Sequence, residues 1–358
     1  MTMNLELADT SRARLAVACG ATGLLLASAA FAAPSVSGIS GTVTNGASIT
    51  IAGSGFGTGD STPLLWDDFE ASSASTGSRM ASAPRVGGWV PAGDATYSTA
   101  AKNSGSRSLH AGFTANAQWN NFTVTMPNGN KFFQSFWFRY DPSATGGQVK
   151  LALVHGNSGQ GEFAPTVNNN SSTTTWWMTN IATESTAGRD AASWSTNPSG
   201  NAWHHFEMAL QQSSGGGTSD GSVTTWIDGK QVYSAKNTIT RDSSQYYWNE
   251  MGFLHGVTNM GANTEAYLDD VYANNSWARV VLCDAATYSG CKRTEIQPVQ
   301  TWADGSIKIT LATSSFTDPS NVYVYVFDSN GTSNSTGLRL CATCTSKTPA
   351  APVLTGVN

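Results

Sequence analysis

Hydrophobic and polar residues alternate along most of this chain in short runs of five to ten, and a helical period is almost absent. Alternation places successive side chains on opposite faces of a strand, so the pattern predicts an all-β protein. The expected strands are Ser48–Ala52, Leu64–Glu70, Asn121–Met126, Phe132–Tyr140, Val149–His155, Thr174–Thr179, Trp203–Gln211 and Ser222–Ile227, followed by Met251–His255, Ala266–Ala273, Ala278–Leu282, Ser306–Thr313 and Val322–Asp328. Ser213–Gly221 and Asn168–Ser172 are so rich in Gly, Ser and Asn that they read as loops.

The N-terminus breaks this pattern. Arg12 and Arg14 precede an apolar run from Leu15 to Phe31, and Ala30-Phe31-Ala32 is an A-x-A cleavage signal with Pro34 just beyond it. Residues 1–32 therefore read as a signal peptide, and the mature protein is expected outside the cell or in the periplasm. The rival, Leu15-Ala16-Val17-Ala18-Cys19 as a lipidation site, is a poor match and would leave the apolar Leu24–Phe31 run on the mature chain. No later run of apolar residues is long enough for a membrane span.

Composition narrows the partners. Only 12% of the 358 residues are charged, with Lys+Arg 19 against Asp+Glu 24 and a net charge of −5. Nucleic acid and anionic membrane surfaces need clustered positive charge, which this chain lacks. A surface made of Ser, Thr, Asn and Gly suits a secreted protein that works among sugars. Beyond the leader, Cys283, Cys291, Cys341 and Cys344 form an even set that can pair in three ways in an oxidising compartment. A four-thiolate zinc site is the alternative, though the spacing of the first pair is not that of a typical knuckle.

Two resemblances organise the chain. The segment from Pro34, with Gly46-Ala-Ser-Ile-Thr-Ile-Ala-Gly-Ser-Gly-Phe-Gly57, resembles the opening of an IPT/TIG immunoglobulin-like domain. Trp302-Ala-Asp-Gly-Ser-Ile-Lys-Ile-Thr-Leu311 and Val322-Tyr-Val-Tyr-Val-Phe-Asp-Ser-Asn-Gly331 resemble its later strands. Residues 34–60 plus 278–345 are together roughly 95 residues, close to the about 100 of such a sandwich. The reading is a split Ig-like domain with residues 64–277 inserted and a tail at 346–358.

The insert holds every tryptophan but Trp302. It resembles a concanavalin A-like lectin/glucanase jelly roll of the laminin-G and polysaccharide-lyase kind. The resemblance rests on Leu64-Leu-Trp-Asp-Asp-Phe-Glu70, Gly105-Ser-Arg-Ser-Leu109, Phe133–Tyr140, Trp203-His-His-Phe-Glu207 with Val223-Thr-Thr-Trp-Ile-Asp-Gly-Lys230, and Ala266-Tyr-Leu-Asp-Asp-Val-Tyr272. It implies a two-layer sandwich whose bent sheet carries a glycan groove.

Alternation assigns side chains to that groove. With Phe136, Phe138, Leu151, Leu153, Phe206, Met208, Val223 and Ile227 in the core, Trp137, Arg139, Lys150, His205, Glu207 and Trp226 face outward. Indoles cover the apolar side of a pyranose, and Arg and Lys pair with uronate carboxylates, so a polysaccharide, and an anionic one best, is the expected partner. The plainer alternatives are packing for the two tryptophans and a cross-strand ion pair for Arg139 and Glu207.

For catalysis, a glucanase of this fold needs paired carboxylates on one strand, and no Glu-x-Asp-x-x-Glu run exists. A polysaccharide lyase needs a group that neutralises the uronate carboxylate and a His or Tyr to move protons. Arg139, Tyr140, His155 and His205 are the candidates, with His255, Tyr246 and Tyr247 behind them, although the motifs of alginate lyases are missing. Asp67-Asp68 and Asp269-Asp270 lie on strands that pair in this fold, and Ca²⁺ held by Asp68 and Asp270 would relieve their repulsion. No nucleophile elbow, P-loop or dinucleotide fingerprint occurs. The readings in play are a lectin-like binding protein, a uronate-cleaving lyase, and a non-catalytic matrix protein.

Overall fold

Ile49 and Ile51, with Thr50 and Ala52 turned the other way, begin one sheet of a small β-sandwich. The structure, a computed structural model, describes residues 32–60, 62–71, 73–80, 84–90, 95–113, 117–119, 122–127, 129–140, 148–157, 166–170, 175–179, 192–194, 200–241, 243–258 and 264–342; for 112–119, 148–150, 166–194 and 255–264 it describes only the course of the strands. In the small sandwich, Ser35–Gly41, Ser48–Ser54, Ser306–Thr310 and Val299–Ala303 form one sheet in that order. Thr294–Ile296, Arg279–Cys283, Tyr323–Phe327 and Leu338–Arg339 form the second. The two share a core of Ile49, Ile51, Ile307 and Ile309 against Val280, Leu282, Val324 and Val326. Strands from both ends of the chain thus complete one sandwich. The turn that leaves it is tightly built. Phe56 is fully buried, Gly57 N donates to Asp304 Oδ1 at 2.7 Å, and a Cβ at Gly59 would press into the Trp302 ring.

Residues between these segments build a larger sandwich. Its nine-stranded sheet runs Lys230–Thr238, Gly221–Ile227, His204–Gln211, Lys131–Tyr140, Thr264–Asn274, Leu65–Asp67 and Val86–Gly87, with Ser108–Phe113 also paired to Thr264–Asn274 and Thr96–Ser98 paired to Ser108–Phe113. The facing seven-stranded sheet centres on Gln148–Gly156 and Trp248–Thr258. Phe132, Phe136, Phe138, Phe206, Met208 and Leu268 of the first sheet pack on Leu151, Val154, Met251 and Phe253 of the second. The Asp228-Gly229 turn has positive φ at both residues (51° and 72°), the pair that a two-residue hairpin demands.

One loop expectation fails. Within Asn168–Ser172, residues up to Asn170 belong to the strand Thr166–Asn170, which pairs on one side with Gln148–Gly156 and on the other with Thr175–Thr179. Two neighbouring strands supply hydrogen bonds that override the weak local propensity of Asn. Among the described residues no helix is long and apolar enough to cross a membrane.

Candidate functional site

The outward face of the nine-stranded sheet carries Phe133, Ser135, Trp137 and Arg139 on one strand, His205, Glu207, Ala209 and Gln211 on the next, and Ser222, Thr224 and Trp226 on the third. Alternation therefore sorts Trp137, Arg139, His205, Glu207 and Trp226 onto one face. Where that face points is a different matter. The second sheet of the small sandwich lies on its middle. Trp66, Phe133 and Tyr272 meet Val281, Ile296, Tyr325 and Phe327 there in a separate apolar cluster. Trp66 Nε1 donates across to Ile296 O at 3.1 Å.

This cover corrects the expected groove at three residues. Trp137 and His205 are each 6% exposed and Glu207 is 3% exposed. Trp137 and His205 stack with ring centroids 5.0 Å apart. The imidazole lies 2.7 Å from Ser135 Oγ through Nε2 and 3.1 Å from Thr294 Oγ1 through Nδ1, the latter from the small sandwich. Burial lowers its pKa, so His205 is a neutral spacer between layers. Glu207 reaches Arg279 Nη2 at 3.5 Å and accepts from Tyr288 OH at 3.4 Å, both again from the small sandwich. The Arg279 guanidinium sits between the rings of Phe133 and Phe327, at 4.0 and 3.8 Å. Sequence reasoning missed Arg279 as the partner of Glu207, because the two residues are far apart in the chain and meet only when the sandwiches dock.

Toward the hairpin edge the cover ends and a cleft of about 580 Å³ opens between the sandwiches. Trp226 and Trp277 stand half-buried in its wall, and Glu207 and Arg279 form its floor. Gln211, Gln231, Lys236 and Asn237 line it from the sheet, and Tyr288, Ser289 and Asn330 from the small sandwich. Trp277 is fixed in place, since Nε1 donates to Phe132 O at 2.9 Å and to Leu210 O at 3.2 Å. Burial raises the Tyr288 phenol above its ordinary range, so its hydroxyl keeps its proton and can donate. The cleft combines aromatic faces with amide, hydroxyl and ammonium groups, the mixture that suits a polar ligand with an apolar side.

The other expected residues fall elsewhere. Tyr140 packs against the main core, on the opposite face from Arg139, which removes it from any outward constellation. Lys150 belongs to the seven-stranded sheet, not to the face of Trp137, and its side chain lies outside the described residues, as does that of His255. His155 is on the same sheet, opposite Glu250 with Nε2 to Oε1 at 3.9 Å. Asp68 accepts from Arg85 Nε at 2.7 Å, and Asp270 accepts from Asn103 Nδ2 at 2.8 Å and Ser104 Oγ at 2.7 Å. Ca²⁺ needs six to eight oxygen ligands. These carboxylates are already turned to N–H and O–H donors, and among the described residues no group of three or more His, Cys, Asp or Glu converges on one point. Cys283 is bonded to Cys291, which rules out cross-links between the two cysteine segments. Cys341 is also disulfide-bonded, and Cys344 lies outside the described residues.

No family model matches the sequence, and no curated protein does. Several solved structures show partial likeness. An endo-beta-1,4-glucuronan lyase from the fungus Trichoderma reesei has 14% identity and a TM-score of 0.43, covering 61% of this chain and 97% of its own. Alginate lyase Aly36B has 10% identity and a TM-score of 0.44, covering 60% and 97%. The cellulose induced protein Cip1 has 15% identity and a TM-score of 0.37, covering 59% and 97%. Likeness at this level leaves the activity of this chain open.

Proposed function

We propose that this is an exported carbohydrate-binding protein that takes a polysaccharide segment into the cleft between its two sandwiches. The observation that carries the reading is the cleft itself, where the Trp226 indole stands among amide and hydroxyl side chains over a polar floor. A pyranose has apolar C–H faces and an equatorial rim of hydroxyls. An indole covers the first, and Gln211, Gln231, Asn237 and Tyr288 hydrogen-bond the second. In this reading the small sandwich is an Ig-type frame, split by the larger one, that supplies half of the site. The leader, the low charge and the Cys283–Cys291 bridge support export, because structural disulfides persist in oxidising compartments.

Binding without cleavage fits the cleft better than β-elimination. Among the described residues no histidine lines it. Glu207 is engaged with Arg279 and Tyr288, and burial keeps the Tyr288 phenol protonated, so it is not available as a base. The test is retention on a panel of immobilised neutral and uronate polysaccharides, together with absorbance of unsaturated uronate products. Wild-type protein is expected to be retained on at least one glycan and to release no unsaturated product. Trp226→Ala is expected to weaken retention at least about tenfold, which corresponds to about 1.4 kcal/mol, with an unchanged circular dichroism spectrum. Unchanged retention in this variant on every glycan that retains the wild type rejects the cleft, and unsaturated product rejects a purely binding role.

A further inference from the structure

The frame covers the middle of the outward face and leaves two flanks. One is the cleft. The other is a row at the opposite end of the same sheet. Strand pairing sets Tyr267 opposite His110 on one side and opposite Arg139 on the other. Their chain neighbours Leu109, Ala111, Phe138, Ala266 and Leu268 are in the core, so the three side chains point outward. Tyr267 is the centre of the row. The His110 ring lies 4.9 Å from it, centroid to centroid, the Trp203 ring 6.5 Å, and the Arg139 guanidinium carbon 6.0 Å from its ring centre. All four are partly exposed. None belongs to the cluster that packs on the small sandwich.

Among the described residues Arg139 makes no ion pair, and its guanidinium lies over the face of Tyr267. The nearby carboxylate, Glu265, is paired with His110 Nε2 instead. In a molecule of net charge −5, an anionic ligand needs a local cation of this kind. A guanidinium fork donates two parallel hydrogen bonds to a carboxylate, and Tyr267 and Trp203 flank it with ring surface suited to a pyranose. Burial, then the charge of Glu265, raises the Tyr267 pKa, so its hydroxyl stays a donor.

We propose that Arg139, Tyr267, Trp203 and His110 form a second glycan site, specific for a sugar unit that carries a carboxylate. Arg139 takes the carboxylate, the two rings hold the pyranose, and the His110–Glu265 pair bonds ring hydroxyls. The site does not depend on the cleft, and the two are separable by mutation.

The test is isothermal titration of the full mature chain with an oligogalacturonate, a sulfated oligosaccharide and a cello-oligosaccharide of matched length. Wild type is expected to bind the oligogalacturonate with an affinity that falls as salt is raised. Arg139→Gln is expected to lose at least tenfold for it and to leave cello-oligosaccharide binding unchanged. Arg139→Lys is expected to keep the salt dependence and recover part of the affinity, and it replaces the first variant if that fails to fold. Trp226→Ala, the cleft variant, is expected to leave the tightest oligogalacturonate binding intact. The proposal is overturned if wild type ignores the uronate, if Arg139→Gln binds it as wild type does or weakens both glycans equally, or if the sulfated probe competes as well as the uronate. Loss in Trp226→Ala alone would place the acidic sugar in the cleft and also reject this row.

Discussion

Glu295 shows how far burial alters a single side chain in this protein. It is 5% exposed; burial first, then the charge of Asp270, pushes its pKa up to about 8. Asp67, buried beneath Trp89, is pushed up to about 7 by burial. Both acids hold a proton in the fold at a pH where the unfolded chain has lost it. Their contribution to stability is complete below the ordinary carboxylate pKa and is lost as pH rises through those raised values. The expected result is a thermal midpoint that falls between about pH 5 and about pH 9. Glu295→Gln keeps an acceptor for Ser315 N and should flatten that fall by up to a few kcal/mol, at about 1.4 kcal/mol for each tenfold in proton affinity. Paired thermal melts at the two pH values check it, and a fall as steep as that of wild type would reject the assignment. At this scale the sequence identified residue types and missed their environments. His205 and Glu207 were legible as neighbours on one face, but Thr294, Tyr288 and Arg279 were invisible as their partners.

Strands are where alternation spoke most clearly. Phe132, Phe136 and Phe138 in the core, with Phe133, Ser135 and Trp137 on the other face, follow from period two alone. The reading failed where neighbours decide. Thr166–Asn170 is a strand because it lies between two others. Lys230–Thr238 was missed because an edge strand shows solvent a mixed pattern with lysines, which also keeps the edge from pairing with other chains. Phe133 demonstrates what the outward face contributes. It is 1% exposed, touches the Arg279 guanidinium, and belongs to the cluster between sandwiches rather than to the main core. Phe133→Ala is expected to cost about 3–5 kcal/mol, read as a lowered denaturant midpoint. A loss below about 1 kcal/mol would mean that the frame barely holds the sheet.

In the whole molecule, the two sandwiches are joined through aromatic and apolar anchors. Each fully buried large side chain contributes about 1.5–3 kcal/mol, and Phe133, Tyr272, Trp66, Tyr325, Phe327 and Val281 are all 6% exposed or less. An interface of that kind does not open readily to free Trp137. Unfolding is therefore expected as one transition, with calorimetry and tryptophan fluorescence giving the same midpoint. Two separated transitions would show that the frame melts off by itself and that the covered face becomes available. Sequence alone determined the all-β class and the faces of the strands, because strand geometry is set by neighbours a few positions away. Which outward residues meet solvent was decided only by the docking of segments from both ends of the chain onto the sheet between them. A covered face and an open one share the same alternation, and only three-dimensional contact separates Trp137 from Trp226 and Arg139.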